Sequence, residues 1–165
     1  EVIEEMRQKI NNHFILTCCV FALILICFLS VYSPMRFQEE REKREQTVKE
    51  RLVTIRQAEE SYKKVTGVYS GDFATLIKGG FLADSITLIP YSDEERFELA
   101  ATMQTEKSGK QTPLMECGAQ YQQYLNGLDE NSIANLIENA NESGHYPGLR
   151  IGDLTSANNN AGNWE

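Results

Sequence analysis

The stretch that decides the architecture is FILTCCVFALILICFLSVY, Phe14–Tyr32, which holds nineteen residues and no charged side chain. A bilayer core of about 30 Å is spanned by about 20 helical residues, because each residue of an α-helix rises about 1.5 Å. The run therefore predicts a transmembrane helix over residues 14–33. A cleaved signal sequence is the alternative, but Ser33–Arg36 carries no small-residue cleavage pattern. Pro34 predicts a kink or break in the helix at the membrane surface.

The residues before this run, 1–13, form a polar flank with the sequence EVIEEMRQKINNH. Apolar residues recur in it at helical spacing, so we expect a helix that runs straight into the membrane. Residue 1 is Glu and not Met. We therefore expect the chain to be processed or incomplete at its start.

Length and charge limit the function of the rest of the chain. The 165 residues leave room for one modest domain outside the membrane. The net charge of −8 makes nucleic acid a poor partner. Three of the four cysteines lie inside the apolar run and only Cys117 lies beyond it, so no disulfide within the domain is expected. No Cys/His zinc spacing occurs.

Residues 34–66 predict a juxtamembrane stalk helix that ends before Gly67. No Gly or Pro occurs from residue 36 to residue 66. Its second half carries an apolar stripe at helical spacing, which we expect to pack on the domain or to mediate assembly. The interaction residues in this stripe are Val48, Leu52, Ile55 and Tyr62. A short coiled coil is the competing interpretation.

Residues 67–165 predict a small head domain. Asp72 is the expected N-cap of a short helix over 73–78, which Gly79 and Gly80 end. Segments 97–104 and 112–121 alternate apolar and polar residues around a turn at Ser108-Gly109, which is typical of a hairpin. A helix over 128–144 and a strand over 145–154 follow. A long helix followed by a small antiparallel sheet with short helices predicts an α+β fold.

The C-terminal tail offers the only candidate for a cofactor, a calcium ion. Calcium takes 6–8 oxygen ligands, and the tail supplies carboxylates and amides at Asp153, Asn158, Asn160 and Glu165. Local turns made by the asparagines are the competing interpretation. We expect Trp164 to dock on the domain as a hydrophobic plug.

Two further side chains, Cys117 and His145, are of types that serve as nucleophiles or bases in enzymes. We expect Cys117 to be a small buried hydrophobe in a strand, and His145 to lie in a turn or on the surface. No Ser, Cys or Asp arrangement makes His145 a triad member. The sequence shows no catalytic constellation, and we expect that the protein is not an enzyme.

The segment after the stalk resembles a pattern of the pseudopilins of type II secretion, in which a tyrosine-led loop precedes a helix ending L-x-x-G-[YF]-L. Its residues are Tyr62, Gly67, Tyr69, Phe73, Leu76, Gly79, Gly80, Phe81 and Leu82. The end of the chain, from Gly152-Asp153 through Asn158 to Trp164, is similar to the calcium loop of major pseudopilins. Pro34–Phe37 and Asn158–Glu165 resemble a Bacteroidales group of single-pass membrane proteins that brings no known activity.

The resemblance to type IV pilins and pseudopilins implies a pilin-like fold and a structural role in a bacterial secretion system or another cell-envelope assembly. It implies an inner-membrane anchor in the lipid bilayer, a periplasmic head, and protein partners that include copies of the chain itself. Two alternatives stay open. One is a membrane-anchored binding module with a calcium-stabilised C-terminal loop. The other is a cytoplasm-facing scaffold, which Arg36, Arg41, Lys43 and Arg44 favour by the positive-inside rule.

Overall fold

The structure, a computed structural model, describes residues 2–105 and 109–165, and for residues 2–12, Leu29 and residues 31–34 it describes the backbone alone. The chain divides into two compact units, Glu1–Glu40 and Arg41–Glu165, which we call the N-terminal and C-terminal units. The first helix, α1, covers Val2–Thr66. It continues through Pro34, so of the predicted kink or break the break is wrong. A proline removes one backbone hydrogen bond, and the strong helix formers that follow it sustain the helix.

The end of α1 is where the sequence placed it. Gly67 has a φ of +86° and its N–H donates to the carbonyl of Lys63 at 2.8 Å. A left-handed residue without a Cβ is the common way to satisfy the last carbonyls of a helix. Lys63 and Lys64 in the last turn lie at the negative end of the helix dipole, which favours cations.

Two short helical elements follow α1. Helix α2, Phe73–Lys78, has the predicted bounds, and the Asp72 carboxylate accepts hydrogen bonds from the N–H groups of Ala74 and Thr75. A 3₁₀ turn over Asp84–Thr87 was not predicted. Four residues are too few to show a helical period in the sequence.

A three-stranded antiparallel sheet confirms the predicted hairpin and final strand. Its strands are β1 (Glu98–Thr105), β2 (Gln111–Gln120) and β3 (Gly148–Gly152), in the order β1-β2-β3. Cys117 of the central strand lies opposite Leu99 on one side and Ile151 on the other. The predicted turn falls in part outside the described residues, which omit Ser108.

Two helices lie between β2 and β3. Helix α3, Tyr121–Tyr124, was missed because the strand prediction ran through its first residue. Helix α4, Glu130–Glu142, confirms the helix predicted over 128–144, and Asp129 caps it by accepting the Ser132 N–H at 2.8 Å. Of the apolar residues expected to face inward, Ile133 is buried and the other three are half-buried; these are Leu136, Ile137 and Ala140.

The hydrophobic core confirms the α+β class. It combines one face of α1 with side chains from α2, the sheet, α3 and α4, including Leu76, Phe97, Met115, Tyr124 and Ile151. Considering only the part of the chain that the structure describes, no helix is long and apolar enough to cross a membrane.

Candidate functional site

The apolar stripe of α1 lies inside the C-terminal unit. Val48, Leu52 and Ile55 are each 0% exposed, and Tyr62 is half-buried. The Tyr62 ring meets the Phe81 ring edge to face at 5.5 Å between centroids. We expected this stripe to pack on the head or to mediate assembly. Three of its four residues pack inside the head, where a partner protein cannot reach their side chains.

Arginine side chains beside the stripe tie distant segments to α1. Arg44 donates to the carbonyls of Tyr124 at 3.1 Å and Asn126 at 2.8 Å, where α3 ends. Arg51 donates to the carbonyl of Ser85 at 3.0 Å, in the 3₁₀ turn. A guanidinium satisfies several carbonyls at once because it carries five N–H donors in a fixed plane. Sequence reasoning missed that these arginines hold loops.

Basic side chains of α1 also lie over aromatic rings of the head. The Arg41 guanidinium lies 5.6 Å from the ring centre of Tyr121, and Arg44 lies 4.8 Å from that of Tyr91. Each such cation–π contact stabilises by about 0.5–1 kcal/mol at a partly exposed site. These contacts connect α1 to the rest of the head, so Arg41 and Arg44 contribute to the stability of the fold.

The C-terminal segment docks on α1. Arg56 donates to the carbonyl of Asn160 at 3.1 Å and to the carboxylate of Glu165 at 3.0 Å. Trp164 is half-buried, and the Lys49 ammonium lies 5.8 Å from its ring centre. This docking agrees with the plug expected of Trp164.

The four residues predicted to bind calcium make separate contacts. The Asp153 carboxylate accepts hydrogen bonds from the Thr155 hydroxyl at 2.6 Å and from the Thr155 N–H at 2.7 Å, and these two hydrogen bonds hold the pKa of Asp153 below its usual range. Asn160 is 8% exposed and donates to the Tyr69 hydroxyl at 2.7 Å. Asn158 donates weakly to the Ala161 carbonyl at 3.5 Å. Glu165 pairs with Arg56, as described above.

Charges of both signs surround this loop. Asn159 and Asn160 line a cleft of about 360 Å³ with Glu60, Lys63 and Lys64. The two lysines disfavour a divalent cation by Coulomb repulsion, and Glu60 offsets part of that repulsion. Among the residues whose side chains the structure describes, no cluster of three or more His, Cys, Asp or Glu is arranged to hold a metal. The calcium site stays a prediction, which the change in melting temperature on adding calcium tests.

Glu59 is a buried carboxylate that sequence reasoning missed. Its side chain is 0% exposed and accepts hydrogen bonds from the N–H groups of Ser70 at 2.7 Å and Gly71 at 3.1 Å. Burial raises its pKa above the ordinary value, and the two N–H donors reduce that rise. The signal was present: Glu59 comes four residues after Ile55 and three before Tyr62, which places it on the apolar stripe.

Cys117 is confirmed as a small buried hydrophobe. It is 0% exposed on the central strand. Burial, and then the nearby charge of Glu59, raise the pKa of its thiol well above the usual range. A thiol that stays protonated and enclosed is a poor nucleophile.

A polar cleft lies between α3, α4 and β3 and has a volume of about 450 Å³. Tyr121, His145, Tyr146 and Arg150 line it. The Arg150 guanidinium lies 5.3 Å from the Tyr146 ring centre and 3.1 Å from the Glu116 carboxylate, which balances its charge. His145 is exposed at the turn after α4, as expected. The cleft therefore presents aromatic and neutral polar groups without a nucleophile next to a base.

The apolar surface of the N-terminal unit is the largest unpartnered feature among the described side chains. Every side chain from His13 to Phe28 is exposed. Phe14, Phe21 and Phe28 are 69%, 68% and 71% exposed. Residues at positions 14, 21 and 28 point to one side of a helix, but exposed leucines and isoleucines fill the intervening positions, so the apolar surface surrounds the helix.

No family model matches this chain, and no curated protein or solved structure is found to be similar to it. The function is therefore argued from the residues themselves.

Proposed function

We propose that the chain is a single-pass, membrane-anchored structural subunit of a bacterial envelope assembly, built like a pilin or pseudopilin and working by binding other proteins. The observation that carries this proposal is the apolar surface that surrounds α1 between Phe14 and Phe28. A helix that is apolar on all sides is stable when lipid or other protein covers it.

The size of this surface argues that something covers it. Ten large apolar side chains between Phe14 and Phe28 are 46% to 71% exposed. Full burial of one such side chain contributes roughly 1.5–3 kcal/mol. Leaving these ten half in water would forgo on the order of 10 kcal/mol, which is comparable to the whole stability of a typical domain. Lipid covers every side of a helix at once, whereas a single partner groove covers one side, so we favour the bilayer.

The head supports a structural role. Its charged groups are engaged in holding segments of the chain: Arg51 holds the 3₁₀ turn, Arg56 holds the C-terminal segment and Glu59 holds the loop after α1. Groups committed to such contacts are not available for acid–base chemistry without disrupting the fold. The described cleft beside Arg150 offers a binding surface.

The pilin-like part of the proposal is supported by the order of elements. A long N-terminal helix is followed by a small antiparallel sheet with short helices around it. The sequence pattern from Tyr62 to Leu82 resembles pseudopilins over the same segment. We place the head in the periplasm, as pilin-like topology requires.

Extraction from membranes tests the anchor. We expect the full chain to stay in the membrane pellet after an alkaline carbonate wash, and the double variant Ile24→Lys/Leu25→Lys to be released. The matched control Gln38→Lys/Glu39→Lys changes exposed residues of the same helix outside the apolar run. Release of the unsubstituted chain by carbonate would overturn the anchor.

Cysteine labelling in intact cells tests the orientation. Cys117 is buried and unsuitable, so Asn131→Cys on the exposed side of α4 supplies the reactive thiol. We expect a membrane-impermeant maleimide to label Asn131→Cys from outside the inner membrane, in excess of the unsubstituted chain. Labelling that appears only after the inner membrane is ruptured would place the head in the cytoplasm and support the scaffold alternative.

A further inference from the structure

The polar cleft between α3, α4 and β3 has the size of a small-ligand site. Its volume is about 450 Å³, and such sites typically measure about 300–1,000 Å³. Both α4 and β3 supply lining residues, so regular elements frame the cleft. A ligand would therefore meet side chains that the fold already holds in place.

One part of the lining is apolar. Tyr121, Leu136 and Ala140 belong to it, and each is half-buried. Tyr146 also lines the cleft and rests on the sheet at Gly118, where a Cβ would lie 3.0 Å from the Tyr146 hydroxyl oxygen. A glycine inside a strand often marks a place where another group approaches closely. These side chains offer aliphatic and aromatic surface to an apolar face of a ligand.

The other part of the lining carries polar groups that can form further hydrogen bonds. The Asn163 amide makes two hydrogen bonds to the backbone, at 3.1 and 2.9 Å, which fix its plane and leave one N–H and one lone pair for a ligand. The Arg150 guanidinium donates to Glu116 at 3.1 Å through one of its several N–H groups. Asn139 and His145 are exposed and add an amide and an imidazole.

The charge of the cleft is close to balanced. Among the described residues, no carboxylate lines it, and the Arg150 guanidinium is paired with Glu116. A paired guanidinium attracts a phosphate or carboxylate only weakly, and a lining without carboxylates gives a metal ion no anionic ligand. The lining therefore fits a neutral ligand with several hydrogen-bonding groups.

We propose that this cleft binds a neutral saccharide of one or two pyranose rings. A pyranose has a face of C–H groups, which packs against aliphatic side chains and the electron-rich faces of aromatic rings. It also has a rim of hydroxyls that both donate and accept hydrogen bonds. Amides, a neutral imidazole and a phenol have the same double capacity. The two parts of the lining match these two features of a sugar.

A peptide strand fits this cleft less well. Peptides commonly add to a sheet through an exposed strand edge. The chain itself covers the edge of β3 beside the cleft, where Ile151 bridges Gly162 and the Asn163 N–H donates to the Arg150 carbonyl at 2.9 Å. A compact ligand that is recognised by side chains is therefore favoured.

The saccharide site goes beyond the proposed structural role, because it gives the head a ligand. It does not depend on the membrane anchor, since the cleft lies within the C-terminal unit. Extraction with carbonate reports on the anchor alone, so a failure of the saccharide site is distinguishable from a failure of the anchor.

Saturation-transfer difference NMR on the full chain tests the site. The detergent is lauryldimethylamine oxide, because a detergent with a maltoside or glucoside headgroup would compete for the cleft. The probes are maltose, cellobiose and N,N′-diacetylchitobiose, and acetylated tetra-alanine amide is the peptide probe. We expect saturation transfer to at least one of the disaccharides and none to the peptide.

The double variant Asn139→Ala/His145→Ala locates the binding. Both side chains are exposed, so the fold should be retained, and circular dichroism checks this. Loss of two hydrogen bonds should weaken the affinity by about tenfold or more. Asn141→Ala is the matched control, because Asn141 is an exposed asparagine of the same helix outside the cleft lining.

Three results would overturn the proposal. The first is the absence of saturation transfer to all three disaccharides. The second is an equal affinity of the double variant and Asn141→Ala, which would place the binding elsewhere on the chain. The third is transfer to the peptide with none to the sugars, which would make a peptide the ligand of the head.

Discussion

The guanidinium of Arg56 lies 3.0 Å from the carboxylate of Glu165, although 109 residues separate them in the chain. The same guanidinium donates to the carbonyl of Asn160 at 3.1 Å. One side chain in the last three turns of α1 therefore holds two points of the C-terminal segment, Asn160 and Glu165. Because Trp164 lies between these two contacts in sequence and is the only tryptophan, its fluorescence reports on this docking.

Arg56→Ala should release the C-terminal segment. The substitution removes a charged donor from a carbonyl in a part-buried site, which typically costs about 1.5–3 kcal/mol. Glu165→Gln removes only a half-exposed ion pair, for which about 0–1 kcal/mol is usual. We expect a red shift of Trp164 emission and a lower free energy of unfolding in Arg56→Ala, and little change in Glu165→Gln. Equal effects of the two variants would show that the ion pair, and not the Asn160 contact, holds the segment.

Leu52→Ala should destabilise the C-terminal unit strongly. Leu52 is 0% exposed, and truncation of a buried leucine costs about 2–5 kcal/mol through lost burial and the cavity left behind. Gln57→Ala on the exposed side of the same helix is the matched control, with a change of about 0.5 kcal/mol or less. Urea unfolding followed by circular dichroism measures both. A Leu52→Ala variant as stable as Gln57→Ala would contradict the burial of the stripe.

Alanine substitutions at two glycines distinguish the cost of backbone strain from the cost of a steric clash. Gly67 and Gly71 both have positive φ, at +86° and +64°. A Cβ at Gly67 meets nothing within 4 Å, whereas one at Gly71 would lie 2.8 Å from the backbone nitrogen of Ala101. Gly67→Ala should therefore cost about 1–2 kcal/mol from conformation alone, and Gly71→Ala should cost more. Thermal unfolding of the two variants compares them. Equal losses would mean that the loop moves away from β1 without penalty.

Glu59 should make the free energy of unfolding respond to pH in the direction opposite to that of Asp72 and Asp153. Because burial raises the pKa of Glu59, the folded state binds its proton more tightly than the unfolded state does. The free energy of unfolding then rises as pH falls through the raised pKa, and this gain is complete below the ordinary value of 4.5. The pKa values of Asp72 and Asp153 are lowered, mainly by hydrogen bonds from Thr75 and Thr155. Protonation of these two aspartates in acid therefore lowers the free energy of unfolding.

Comparison with Glu59→Gln isolates the contribution of this carboxyl, since the aspartates are common to both proteins. We expect the free energy of unfolding of the unsubstituted chain, minus that of Glu59→Gln, to increase as the pH is lowered from neutral toward the ordinary value of 4.5. Chemical denaturation at several pH values gives this difference. A difference that falls in acid would show that the fold lowers the pKa of Glu59, and a constant difference would show that the fold does not raise it.

Local features of the fold were predictable because their causes are local. The end of α1 at Gly67 and the start of α2 at Asp72 each depend on one residue that satisfies nearby backbone groups. The hairpin of β1 and β2 follows from alternation over adjacent segments. The buried stripe of Val48, Leu52 and Ile55 follows from helical spacing. The break predicted at Pro34 was wrong, because a single residue is a weak signal inside a long helix. Helix α3 was missed, because a single helical turn is a weak signal next to a longer strand.

By itself the sequence determined the apolar run, the bounds of most helices and strands, and the α+β class, since periodicity and capping act over a few residues. Only the tertiary structure decided that Arg44, Arg51 and Arg56 hold distant carbonyls and that the N–H groups of Ser70 and Gly71 satisfy Glu59. The physical reason is range. Spacing within one helix shows which face a charged side chain occupies, but the partner of that charge depends on which remote segments pack against the face.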